Sequence, residues 1–192
     1  MPEAIRNGDP NLAYKPLYVF KGKNNINLQL GPKVIAISRD ISAPYMGWSS
    51  FSDTLKSAIK HIEKSQIIEK VERTGVRYIS FFENVNVFEK IKLLVSLNGN
   101  DKIAESNSSF VTEIQEKEII NRLKLDNSAV LNQAGKIRTG SIVDIDSYST
   151  TEHNDCKKLF KLVEQCHQAE KTLFFSLLNE EFLKELKPEY GE

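Results

Sequence analysis

The 192-residue chain has few cysteines, no net charge and no long apolar run. Its two cysteines, Cys156 and Cys166, lie in one stretch of helical periodicity. Ten helical residues rise about 15 Å, whereas disulfide-bonded Cα atoms lie within about 7 Å. A helix there forbids the bridge, and two free thiols suit a reducing cytoplasm. Lys+Arg and Asp+Glu both total 26, so the formal net charge is zero. That balance argues against a dedicated nucleic-acid binder, which needs a phosphate-neutralising surface, but leaves room for a local basic patch. No N-terminal apolar signal segment and no run of about 18 apolar residues occurs, so neither secretion nor a membrane partner is expected. No Walker loop, dinucleotide fingerprint, paired-cysteine redox motif, nucleophile elbow, zinc-protease helix motif or EF-hand loop is present. No cofactor is implied, and whether the chain is an enzyme stays open.

What is present is ordinary globular material, 40% hydrophobic and 27% charged. Residues 1–15 read as an irregular lead with prolines. Residues 16–192 read as a single α+β domain, with two pseudo-similar halves at 16–97 and 107–186. The strongest strand signal is Val71–Phe82, rich in branched and aromatic residues. Gly75 inside it marks either a bulge or a close backbone approach. Side chains alternate along a strand, so Val76, Tyr78 and Phe82 face one way and Arg77, Ile79 and Phe81 the other. Pro16–Phe20, Ile26–Leu30 and Lys33–Ser38 predict an antiparallel meander, with a turn at residues 21–25. Residues 39–47 read as loop, Leu93–Leu97 as a strand before an Asn98-Gly99 turn, and Ile103–Ser109 as surface loop. Asn84–Lys90 is ambiguous. Phe110–Ile114 and Glu118–Leu125 favour a hairpin over a helix. Val130 and Leu131 lie in a weak segment, and Ile142–Tyr148 reads as a strand.

Two long helices are expected. One starts near Ser49 or Ser50 as N-cap, with Phe51, Leu55, Ala58, Ile59 and Ile62 on one stripe. The other runs from Asp155 to Leu178, capped by Asn154, with a short helix capped by Asn179 after it. The expected fold is a mostly antiparallel sheet of six to eight strands, with the two long helices packed on one face.

The sharpest polar pair is Asp144 and Asp146, which share one strand face about 7 Å apart. Paired carboxylates hold a cation or divide acid and base roles, but both uses need a third group that no fixed spacing supplies. The plainer reading is a solvent-face pair, or partners for Arg77 or Arg73. Arg77 beside Tyr78 reads either as a receiver of an anion against an aromatic wall or as half of an ion pair tying two strands together. His61, His153 and His167 show no ligand spacing. Gly135–Gly140, with Lys136 and Arg138, reads as an anion loop or a basic hairpin. Tyr45, Trp48 and Phe51 line a groove or plug a helix end.

Three stretches together resemble an uncharacterised, sporadically distributed bacterial protein family. They are Tyr45-Met-Gly-Trp48-Ser-Ser-Phe51, then Arg73-Thr-Gly-Val-Arg77-Tyr78-Ile79, then Ile142-Val-Asp-Ile-Asp146-Ser-Tyr148. A closing helix with His167 and Phe174-Phe175 is also similar. Position 80 is serine where the family tends to asparagine, and the family's N-terminal strand and helix look reduced, as in a truncated or divergent member. The resemblance implies an α+β fold and no established activity. Its shared residues Arg73, Arg77, Tyr78, Asp144, Asp146 and, in the last motif, Tyr148 form the candidate ligand site or structural ion-pair network; no catalytic or metal residue is assigned.

The reading favoured by weak catalytic signals is an interaction or accessory protein working through a sheet edge or its C-terminal helices. The alternative is an anion-binding or hydrolytic enzyme around Arg77, Asp144 and Asp146. A strand near Leu17 or Val34 left as a sheet edge, with Phe175, Phe182 and Leu186 exposed, points to a homodimer.

Overall fold

The computed structural model of the chain describes residues 12, 14–39, 43, 45–94, 107–133 and 135–187. The lead at 1–11, the loop at 40–42, the strand and turn expected at 95–99 and the loop at 103–106 lie outside the described residues. The fold is α+β, with seven antiparallel strands among the described residues, in two sheets of three and four. The chain divides into two compact units, Met1–His61 and Ile62–Glu192.

The first unit holds the expected meander, β1 (Tyr18–Lys21), β2 (Ile26–Gly31) and β3 (Val34–Arg39). The predicted turn is a short 3-10 segment, Lys23–Asn25, in which Asn24 and Asn25 both take φ +58°. Asparagine tolerates that left-handed region better than most residues. Helix α1 (Trp48–Ser65) crosses the unit boundary. It starts at Trp48, so Ser49 and Ser50 sit in its first turn rather than at the N-cap. Gly47 precedes it at φ +81°, and its C=O accepts the Phe51 N–H at 3.3 Å.

The second unit is a sheet of order β4-β7-β6-β5: β4 (Thr74–Glu83), β5 (Ser109–Glu116), β6 (Ile119–Gln133) and β7 (Lys136–Ser149). The hairpin favoured for Phe110–Ile114 and Glu118–Leu125 forms as β5 and β6, and β6 runs on through the weak segment at Val130. A bulge between Asp126 and Ala129 lets the long β6–β7 arm continue past the other strands. β4 begins later than expected. Val71 instead forms an isolated bridge with His153, bonded both ways at 2.7 and 3.1 Å. Gly75 is a close approach and no bulge: a Cβ there would meet the Tyr148 Cβ at 2.8 Å. The ambiguous segment after β4 contains a 3-10 turn, Val87–Glu89, whose Val87 and Phe88 are buried.

Helix α2 (Cys156–Leu177) packs across β4, β7 and β6. Its N-cap is Asp155 and not Asn154; the Asp155 carboxylate accepts the Lys157 N–H at 2.8 Å. Asn179 caps α3 (Glu180–Leu186), as expected. The core lies between the sheet and these helices: Leu123, Leu125, Val143 and Ile145 from the strands, with Val87, Phe88, Ile91, Leu178 and Phe182. Phe182 is therefore no exposed interface residue; it is 3% exposed and meets the Phe82 ring edge-on at 5.1 Å. Polar groups on the same face are bonded in place. Ser147 donates to the Asn121 amide oxygen at 2.5 Å, and Ser141 accepts the Val87 N–H at 2.9 Å.

Candidate functional site

Strand alternation divides the candidate residues between two faces. Thr74, Val76, Tyr78 and Phe82 turn toward α2, with Val143, Ile145 and Ser147 of β7. Arg77, Ile79, Asp144, Asp146 and Tyr148 turn away from it. Tyr78 is therefore separated from Arg77: its ring lies 5.9 Å from that of His167, with Oη 3.4 Å from Nδ1. Burial, the largest influence, holds the His167 pKa below its ordinary value. His61 is exposed and His153 is buried, the latter 3.3 Å from the Thr74 hydroxyl. Cys166 is also enclosed, and burial pushes its thiol up to about 11, so it is no nucleophile at neutral pH.

Arg73, Arg77, Asp144, Asp146 and Tyr148 do come together, in two forked pairs. Arg77 donates from Nε and Nη2 to the two Asp144 oxygens at 2.8 and 2.6 Å. Arg73 Nη2 meets both Asp146 oxygens at 2.9 and 2.8 Å, and its guanidinium stacks 4.1 Å from the Tyr148 ring centre. Gly75 permits that stacking by letting Tyr148 lie close over β4. The hydrogen bonds to Asp144 raise the Arg77 pKa further. All four carboxylate oxygens are thus engaged by guanidinium groups, and the two aspartates present no open oxygen pair to a cation. Among the described residues no cluster of three His, Cys, Asp or Glu is placed to hold a metal.

The pairs are layered. The Asp144 side chain is 11% exposed and that of Arg77 57%. For Asp146 and Arg73 the values are 26% and 48%. Acids form the floor, and guanidinium groups whose other N–H donors are unused among the described residues form the outer surface.

The strand register extends this surface to residues that sequence reasoning missed. Across β4, β7, β6 and β5 one rung reads Arg77, Asp146, Arg122, Glu113. The next reads Ile79, Asp144, Lys124, Val111. Arg122 and Glu113 make no side-chain ion pair among the described residues, and Lys124 only a loose one, 3.8 Å from Asp126. The alternation of Arg122, Lys124 and Asp126 with Leu123 and Leu125 was the signal for this face, but only the register sets it beside Asp144 and Asp146.

Gly135–Gly140 is hairpin rather than anion loop. Arg138 donates to the Gln133 side chain, lies 3.7 Å from Glu83 and covers the Phe81 ring at 5.7 Å. Trp48 and Phe51 pack at 6.2 Å, while Tyr45 is 71% exposed. A separate cleft of about 450 Å³, lined by Asn84, Asn86, Asn127, Ser128 and Thr139 among others, contains none of Arg73, Arg77, Tyr78, Asp144, Asp146 and Tyr148.

Comparison with protein-family models, with curated proteins and with solved structures returned no match. No helix among the described residues is long and apolar enough to cross a membrane.

Proposed function

We infer that the protein is an anion-binding module whose working surface is the face of the four-stranded sheet turned away from α2. The observation that carries this is the layering of the ion pairs: nearly enclosed Asp144 beneath the half-exposed guanidinium of Arg77. Each aspartate fixes its arginine's orientation and leaves other N–H groups free for a second carboxylate or phosphate. Arg122 and Lys124, two strands away at about 4.8 Å per strand, supply further cations within reach of one anionic group. The hydrolytic part of this reading lacks a base, since both aspartates are committed to arginines. Membership of the bacterial family remains our proposal, carried by the Arg73-to-Ile79 and Ile142-to-Tyr148 motifs. So does a cytoplasmic location, for which the enclosed, unbridged Cys166 is the support.

The test is a thermal-melt series with orthophosphate, pyrophosphate and a dicarboxylate at constant ionic strength. A ligand that binds only the native state raises the midpoint with its concentration. The expected result is stabilisation by at least one of these anions, lost in Arg122→Glu. Equal stabilisation of parent and variant would refute the assignment of the face.

A second reading, a partner docking along a sheet edge, has its own observation. Among the described residues β1 is an edge strand, and Leu17, Tyr18, Val19 and Phe20 are 47%, 64%, 58% and 54% exposed. Unpaired backbone groups beside exposed apolar side chains suit an added strand from another protein or a second copy.

A further inference from the structure

We propose that the anion received by this face is an extended acidic peptide, with carboxylates on alternate residues, laid along the seam between β7 and β6. The inference rests on the anion-binding reading and names its ligand class. Arg77 bonds both oxygens of Asp144, and Arg73 both oxygens of Asp146. Both cationic heads therefore lie over β7, although Arg77 belongs to β4 and Arg73 precedes it. On β6, Lys124 stands opposite Asp144 and Arg122 opposite Asp146. Each covered aspartate thus sets a guanidinium beside a second cation, about 4.8 Å away across the strands. One cation pair is Arg77 with Lys124, the other Arg73 with Arg122.

The two pairs are two residues apart along the strands, about 7 Å. Side chains on one face of an extended peptide repeat at that same spacing, every second residue. Two carboxylates so placed meet the two pairs in step. In a pyrophosphate the two phosphorus atoms share one bridging oxygen and sit too close together to serve both pairs. Charge agrees with the spacing. Four cations above Asp144 and Asp146 leave two positive charges, which two carboxylates neutralise. The guanidinium forks also match carboxylates in shape.

The charged track closes at both ends. Beyond Arg122 the next residues on this face are Tyr148 and Ile120, which are register partners. Beyond Lys124 they are Ile142 and Asp126, again partners. A third negative charge would meet apolar surface at one end and a carboxylate at the other. A nucleic acid, charged at every nucleotide, overruns this track. Ile79 and Val111, 47% and 49% exposed, flank the Lys124 pair on β4 and β5. A short acidic stretch with apolar neighbours suits this outline, and its apolar end belongs over Tyr148 and Ile120.

Calorimetric titration of the full chain with end-blocked peptides, at constant ionic strength, tests this. The probe has two glutamates separated by one valine, and a leucine two positions before the first glutamate. A control of the same composition has its glutamates adjacent, so that they project to opposite sides. The probe should bind, and the control should bind roughly fivefold more weakly or worse. Arg122 and Lys124 are exposed, so Arg122→Gln and Lys124→Gln leave the fold intact. Each should weaken the probe by about fivefold. Double-mutant cycles with glutamine in the probe should couple Arg122 to the first glutamate and Lys124 to the second. A general structural loss would show no such selectivity. An unbound probe, a control bound equally well, or affinity indifferent to both variants overturns the proposal. Tighter binding of oligothymidylate than of the probe overturns it in favour of a nucleic acid. Pyrophosphate melts on the same samples separate the two claims. Stabilisation by pyrophosphate without discrimination between the peptides leaves the anion reading standing and this inference refuted. Failure of the peptides and of every small anion refutes both.

Discussion

Glu170 sits on the buried stripe of α2 between Cys166 and Leu173, and is 6% exposed. Burial pushes its carboxyl up to about 7 from an ordinary value of 4.5. The unfolded chain releases this proton near 4.5 and the native chain near 7. Between those values the native state holds more protons, so stability falls as pH rises. Below 4.5 both states are protonated and the penalty is absent; above 7 it is complete. Two and a half pH units at about 1.4 kcal/mol each give a penalty of roughly 3 kcal/mol. Glu170→Gln keeps the shape and removes the titration. Urea melts of variant and parent from pH 4.5 to pH 8 should therefore diverge, with the variant gaining up to roughly 3 kcal/mol at the alkaline end. Taking the difference cancels the other titrating groups. A difference independent of pH, or a variant that loses ground as pH rises, would refute the reasoning.

Arg77→Met strips the cover from Asp144 and leaves a mostly enclosed carboxylate unpaired. The outer half of the pair is wet, so the loss should lie between the surface and buried limits, about 1–2 kcal/mol in urea melts; a loss below about 0.5 kcal/mol would contradict the pairing. Gly140→Ala drives a Cβ into the Phe82 carbonyl oxygen on the neighbouring strand. Backbone cannot yield there cheaply, so the variant should lose about 1–3 kcal/mol, and an unchanged denaturation midpoint would contradict the β4–β7 register.

The fold was legible wherever periodicity was clean. Val143 and Ile145 alternate with Asp144 and Asp146, so that strand and its two faces followed from period two alone; in Glu118–Leu125 the pattern favours a strand without assigning its faces. Helix starts were less legible, because Ser49, Ser50 and Asn154 are good caps beside the positions the backbone uses. The split of seven strands into sheets of three and four was not readable, since no local pattern records which strands pair. The Arg77–Asp144 and Arg73–Asp146 pairing was anticipated in kind but not in its division: the diagonal reach of Arg77, past Asp146 directly opposite, depends on register. Alternation set Tyr78 and Arg77 on opposite faces, as found; only their grouping in one candidate site fails. Arg122, Lys124 and Glu113 became part of the site only through β6 and β5 pairing. Phe182 looked exposable because a seven-residue helix gives no sign of which neighbour it meets.

The central claim is that the outer face of β4, β7 and β6 receives anions. An NMR titration of the full chain with pyrophosphate, following backbone amides and arginine Nε–H signals, tests it most directly. The account predicts saturable shifts at Arg73, Arg77, Arg122 and Lys124, absent in Arg122→Glu, with Asp144 and Asp146 amides moving beneath them. Shifts centred on the asparagine-lined cleft by Asn84 and Asn127, or along the β1 edge at Tyr18 and Phe20, with this face silent, would contradict it.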